Sequence, residues 1–95
     1  MNVRHVVIRG RVQGVGYRAW VQQQALRLDL EGWVRNRRDG SVEAVFAGTE
    51  EAVTAALDAC HRGPPGARVD AVDQEQGGLL QQRRDGERFS VLATA

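Results

Sequence analysis

The sequence contains no lysine; all 13 of its basic residues are arginine. Any anion site must therefore be made from guanidinium or backbone N–H groups, and a phosphate loop built around a lysine ammonium is excluded. There is one cysteine, Cys60, so no internal disulfide can form, which agrees with a reducing compartment. No apolar run is long enough to span a membrane. The apolar part of Met1–Gly10 is too short and too interrupted for a secretory signal, so a cytoplasmic location is expected. The net charge is only +1, which gives the molecule no general pull toward nucleic acid or membrane. The two histidines, His5 and His61, have no carboxylate or cysteine at ligand spacing, and a metal site needs three or four converging ligands. No metal is expected. No internal repeat, low-complexity tract or linker is visible, and 95 residues make a single domain, 1–95, with a modest core.

What the chain does have is a clear succession of periodic segments. His5–Val12 is β-branched, with Val6, Ile8, Gly10 and Val12 on one face and Val7, Arg9 and Arg11 on the other. A glycine-rich loop follows. From Arg18 to Leu30 the pattern becomes helical: Val21, Ala25 and Leu28 share a face with Tyr17 one turn earlier. Gly32–Arg38 and Ser41–Gly48 flank Asp39-Gly40, a strong two-residue hairpin signal because both positions tolerate positive φ. Thr49 suits an N-cap, Glu50 and Glu51 suit a helix start, and Val53, Leu57 and Cys60 form a buried stripe that ends at Gly63 and Pro64-Pro65. Ala67–Glu75 is a weaker strand, Gly77–Glu87 reads as an exposed loop, and Arg88–Thr94 as a final strand. The order β-α-β-β-α-β, with one extra strand segment, predicts an α+β split βαβ sandwich: an antiparallel sheet with two helices on one face.

The stretch Gly10–Trp20, GRVQGVGYRAW, admits three readings. Gly14-Val15-Gly16-Tyr17-Arg18-Ala19 fits a dinucleotide fingerprint, but that motif belongs to a parallel sheet, and the next strand here enters a hairpin. In the second reading the glycines only permit a tight turn. Against this, Arg18 sits in the first turn of a helix, where the dipole disfavours a cation, and local rules tend to be broken at functional sites. The third reading is an anion cradle. Glycines let successive N–H groups point into one concavity, the helix start adds its free N–H groups, and a guanidinium at the rim matches a phosphoryl group.

GRVQGVGYR, Gly10–Arg18, followed by GWVRN, Gly32–Asn36, closely resembles the acylphosphatase family. The first signature, G-x-V-Q-G-V-G-[FY]-R, is met at every specified place, and the second, G-W-V-x-N, by Gly32, Trp33, Val34 and Asn36. GPPGARVDAV, Gly63–Val72, is also similar to the family's stretch after its second helix. The resemblance implies a ferredoxin-like fold and hydrolysis of the carboxyl–phosphate bond of acyl phosphates, without metal or cofactor. It implies that Arg18 binds phosphate together with the backbone of Gln13, Gly14, Val15, Gly16 and Tyr17, and that Asn36 orients the attacking water. Asp29 departs from the family, many of whose members carry glycine there.

These roles make chemical sense. An acyl phosphate has a good leaving group, so holding the phosphoryl group, stabilising its charge and aligning a water suffice. An Asn amide can both donate and accept, although it is no general base. Asn is depleted in strands, so Asn36 invites this explanation; the alternative is an Asn that merely precedes the Asp-Gly turn. The expected partners are a small-molecule acyl phosphate, and inorganic phosphate or sulfate as site anion, with no nucleic acid, no membrane and a monomeric chain. Cys60, Trp20 and Trp33 read as packing residues, and Arg35, Arg37 and Arg38 as a solvated strand face from which Arg35 can add to the phosphate's field. RNA-recognition domains share the element order, but they stack bases on aromatic sheet residues, and this chain has five aromatics and no matching strand signature. A related domain that only binds or hands on an acyl or carbamoyl phosphate is the other rival; a free 95-residue chain with both motifs reads instead as the stand-alone enzyme.

Overall fold

A computed structural model describes residues 1–95, apart from the side chain of Gln81. The chain runs β1 (Asn2–Arg11), α1 (Tyr17–Arg27), β2 (Glu31–Asn36), β3 (Val42–Gly48), α2 (Glu50–Arg62), β4 (Arg68–Gln76), a 3₁₀ turn (Leu80–Gln82) and β5 (Phe89–Val91). The sheet order is β4-β1-β3-β2-β5. Both helices cover one face, as the split βαβ pattern predicts, and close a core of Val6, Ile8, Val34, Ala44 and Phe46 against Val21, Ala25, Val53, Leu57 and Cys60.

The sheet is mixed rather than purely antiparallel, because β5 pairs parallel with β2. That edge strand is also shorter than the expected Arg88–Thr94. Beyond Val91 the chain keeps alongside β2 through two backbone bonds, Leu92 N–H to Val34 O at 2.8 Å and Ala95 N–H to Asn36 O at 3.0 Å. The weak strand at Ala67–Glu75 is a full nine-residue edge strand. Gly32 has φ +142°, and a Cβ there would lie 1.8 Å from the Val45 carbonyl oxygen, so no other residue fits where β2 crosses β3.

The hairpin turn differs from the two-residue expectation. Gly40 N–H donates to Arg37 O at 3.1 Å and Arg37 N–H to Ser41 O at 2.9 Å, so three residues span the turn. Gly40 has φ +95°, whereas Asp39 is not left-handed. This is the longer hairpin in which a glycine closes a turn. Asp39 caps it by accepting from Ser41 N–H and Ser41 Oγ–H.

β3 is buried on both faces, although its sequence alternates like a half-exposed strand. The cause is the Gly77–Glu87 segment, which is not simply a solvent loop. It crosses the sheet face opposite the helices, where Trp33 Nε1–H donates to Leu79 O at 2.7 Å. On that face Glu43, only 8% exposed, accepts from Arg35 Nε at 2.6 Å and pairs with His5 Nε2 at 2.6 Å. Arg35 also lies over the Trp33 ring. It is therefore on the far side of the sheet from the glycine loop and adds nothing to a phosphate field there, because side chains alternate along a strand.

Burial opposes the Glu43 charge, but the His5 and Arg35 hydrogen bonds outweigh it and hold the carboxyl below the usual carboxylate range. A depressed folded value means that this stabilisation is complete above the unfolded carboxylate value, about 4.3, and disappears as pH falls through the folded one. The melting temperature of the wild-type chain should therefore drop with acidification below about pH 4. Glu43→Gln should melt lower at neutral pH and remove part of that acid dependence. Melting curves of the two proteins from neutral to acid pH check this; parallel profiles would exclude Glu43 as a source.

α1 ends at Arg27, short of the expected Leu30, because Asp29 turns the chain. Its φ is +59°, the left-handed value expected after a helix end. Leu30 N–H reaches back to Ala25 O at 2.9 Å and Asp29 N–H to Leu26 O at 3.1 Å. An aspartate is strained here, and its contact with Arg88 is exposed. Asp29→Gly should raise stability by about 0.5–1 kcal/mol, read by urea denaturation, as the relieved strain exceeds the extra freedom of glycine in the unfolded chain.

Candidate active site

β1 and β2 both run antiparallel to β3, which lies between them, so they point the same way and end at the same edge. The register is specific: Val42 of β3 stands opposite Ile8 on one side and Asn36 on the other. Opposed residues share a face, and Ile8 and Val42 are core residues under the helices. The Asn36 side chain therefore points to the helix side, where the chain leaving β1 makes its loop.

That loop begins at Val12, buried to 1% and anchoring it in the core. Gly14 has φ +75° and Gly16 φ +77°, with Val15 between them outside the left-handed region. Alternating handedness of this kind turns successive N–H groups toward one concavity. Gly16 is the N-cap of α1; among the described residues no side chain caps the helix, and its first turn holds no acidic residue. The N–H groups of that turn and the helix dipole are thus available to an anion.

Arg18 follows on this first turn, half-buried, its Nη1 donating to Leu92 O at 3.4 Å. Tyr17 beside it is 2% exposed and donates to Cys60 O at 2.7 Å, tying the helix start to α2. Burial above all, with Cys60 adding to it, drives the phenol pKa far up, so Tyr17 is an anchor and no acid. Burial likewise pushes the Cys60 thiol up to about 12, with the Tyr17 hydroxyl pulling weakly the other way, so Cys60 is core and no nucleophile.

Gln13, Gly14, Gly16, Arg18 and Asn36 line one hollow of about 260 Å³, with Val91 of β5 on its wall. Of the expected site residues, Gln13, Gly14, Gly16, Tyr17, Arg18 and Asn36 come together here, whereas Val15 does not line the hollow and packs against the core. Asn36 Oδ1 is buried and, among the described residues, has no hydrogen-bond partner. A buried amide oxygen without a partner is uncommon and calls for a ligand or water. A larger open hollow, about 580 Å³, lies between Glu31 and the 83–88 turn. Its arginines are already paired: Arg83 with Glu31, Arg84 with Glu87 and Arg88 with Asp29. Among the described residues no group of three or more His, Cys, Asp or Glu is placed to hold a metal ion.

Two contributions escape sequence reasoning. One is the segment after β5, whose Leu92 carbonyl orients Arg18; a main-chain oxygen leaves no trace in residue identity. The other is the Gln13 side chain, which donates to Arg37 O and Ser41 O across the hollow's edge. The aromatics that an RNA-binding sheet would display are elsewhere: Trp33 is 1%, Phe46 1% and Phe89 2% exposed.

A family model described as Acylphosphatase matches residues 4–91. The chain is similar to an acylphosphatase of Rhodopseudomonas palustris (strain BisB18), 62% identical over 97% of this chain and 95% of that one. It is similar also to an acylphosphatase of Bradyrhizobium diazoefficiens, 60% identical with the same coverage. Among solved structures, the acylphosphatase from Bacillus subtilis superposes with a TM-score of 0.86 at 36% identity, over 97% of this chain and 99% of that one. The β1–α1 loop and the end of β2 are thus set in a chain that, across almost its full length, belongs to the acylphosphatase family.

Proposed function

We propose that this protein hydrolyses the carboxyl–phosphate bond of acyl phosphates, with Arg18 and the Gln13–Arg18 backbone holding the phosphoryl group and Asn36 orienting the attacking water. The family supports the reaction. The observation that carries the assignment of roles is the unpartnered Asn36 Oδ1, buried in the wall of the same hollow as Arg18 and the loop glycines.

The phosphoryl oxygens bind against the loop amides, the start of α1 and the Arg18 guanidinium, which neutralise charge without reorganising. Water, held by Asn36 through its free oxygen and its amide hydrogens, attacks phosphorus in line with the carboxyl leaving group. The new P–O bond forms as the bond to the acyl oxygen breaks. The carboxylate departs with the bonding electrons, and both protons of the water end on phosphate. Asn36 takes no proton at any stage; the water's proton passes to the phosphoryl group itself.

The same reading has the chain act as a cytoplasmic monomer, without cofactor, on a small-molecule acyl phosphate, and bind inorganic phosphate or sulfate in the same cradle. The test is loss of benzoyl phosphate in the presence of a chelator. Turnover well above spontaneous hydrolysis is expected; a rate equal to background would overturn the reading.

A further inference from the structure

We infer that the side chain of Gln13 is a positioning residue, which holds Asn36 at its working distance from the phosphate loop. The inference rests on the proposed role of Asn36 and deepens it.

Gln13 Nε2 donates both of its hydrogens, one to Arg37 O at 2.7 Å and one to Ser41 O at 2.8 Å. These two carbonyls sit at the mouth of the β2–β3 hairpin. Arg37 N–H already donates to Ser41 O, and Gly40 N–H to Arg37 O, so each oxygen accepts a second bond from Gln13. Arg37 is the residue directly after Asn36. One primary amide therefore joins the phosphate loop to the residue that follows Asn36 and to the residue that leads into β3. The segment after β5 holds the other flank, with Ala95 N–H on Asn36 O.

Asn36 needs this because nothing among the described residues holds its side-chain oxygen. Its aim is set by the backbone at position 36, which lies beside the turn. Release of the turn from the loop leaves the cradle intact but lets the end of β2 move relative to it. A misplacement of about 1 Å costs on the order of 100-fold in rate when a reacting group must be aligned. A primary amide suits this position because it offers two donors on one atom without charge. A carboxylate of the same shape cannot donate and would face two carbonyl oxygens.

The decisive measurement is a double-mutant cycle between Gln13 and Asn36, with benzoyl phosphate turnover and inorganic phosphate binding read on each protein. Gln13→Ala should lower kcat about 10–100-fold while phosphate Kd stays within about threefold of wild type. In the Asn36→Ala background the same change should lower kcat less than about threefold, because there is no water-orienting group left to misplace. Gln13→Met, which keeps the length and removes the donors without adding charge, should match Gln13→Ala, and bound phosphate certifies that either variant is folded. Equal losses in both backgrounds would overturn the inference, as would a fall in phosphate affinity parallel to the fall in kcat, since Gln13 would then only shape the loop. A wild-type rate for Asn36→Ala alone would instead sink the role of Asn36, an outcome visible without any change at Gln13.

Discussion

Arg18→Ala is expected to abolish detectable phosphate binding and to reduce kcat/KM for benzoyl phosphate by about 1,000-fold or more. Removing a single charge-stabilising donor from a preorganised site costs about 100–1,000-fold. Arg18 supplies more than one donor: a planar fork carrying a full positive charge, on a helix turn already biased toward anions. With no lysine anywhere in the chain, no lysine ammonium can replace its guanidinium. The arginines of β2 and its turn do not compensate, since Arg35 is committed to Glu43 across the sheet and neither Arg37 nor Arg38 lines the hollow. Calorimetric titration with inorganic phosphate, together with steady-state kinetics, checks both halves. Retained phosphate affinity in Arg18→Ala would show that the loop amides suffice alone and would remove the guanidinium from the site.

Asn36→Ala separates the two halves in the opposite way. It should keep phosphate binding within a few-fold of wild type and lower kcat by about 100–1,000-fold, the scale of a lost aligning or stabilising donor. The reason is its location: it lines the hollow from the end of β2, outside the loop, and carries no charge. Loss of affinity and rate together would mean that Asn36 binds the phosphoryl group itself. Equal rates in the variant and the wild type would mean that the buried oxygen has no part in the chemistry. Because an alanine here also removes an unsatisfied buried acceptor, the variant should be no less stable than the wild type, which keeps the kinetic result free of unfolding.

Much of this geometry is legible in the residues. Gly14, Gly16 and Arg18 announce the cradle because their chemistry is local: positive φ, a helix start and a cation in the wrong place for a mere turn. The layer arrangement follows from the alternation in β1 and the helical stripe in α2, whose N-cap, Thr49, accepts from Ala52 N–H as its sequence predicts. What sequence reading misses is non-local or carried by the main chain. The second buried face of β3 depends on a strap far along the chain, and the polar composition of Gly77–Glu87 disguises that role. Arg35 looks like a solvated neighbour of the site until Glu43, on another strand, claims it from the far face. His5 finds its carboxylate only through strand pairing, which no spacing within one segment encodes. Asp39 shows a subtler limit: the Asp-Gly pair marks a hairpin correctly, but the number of residues in the turn is decided by which carbonyl its neighbours reach.

Val42 stands between Ile8 and Asn36, and this shared register has a consequence for how the chain can vary over generations. One residue gained or lost between Asn36 and Val42 must either be absorbed in the turn, whose carbonyls Gln13 holds, or slip the register and turn the end of β2 to the other face. On the role proposed for Asn36, length in the stretch 37–41 therefore bears on catalysis, although none of those side chains need touch substrate. The 77–87 strap carries no such constraint on the site. Drift in length among descendants of this chain should collect in the strap and be purged from the hairpin, where, on the proposed roles, a single inserted codon would disturb the aim of Asn36 and spare the loop that holds phosphate.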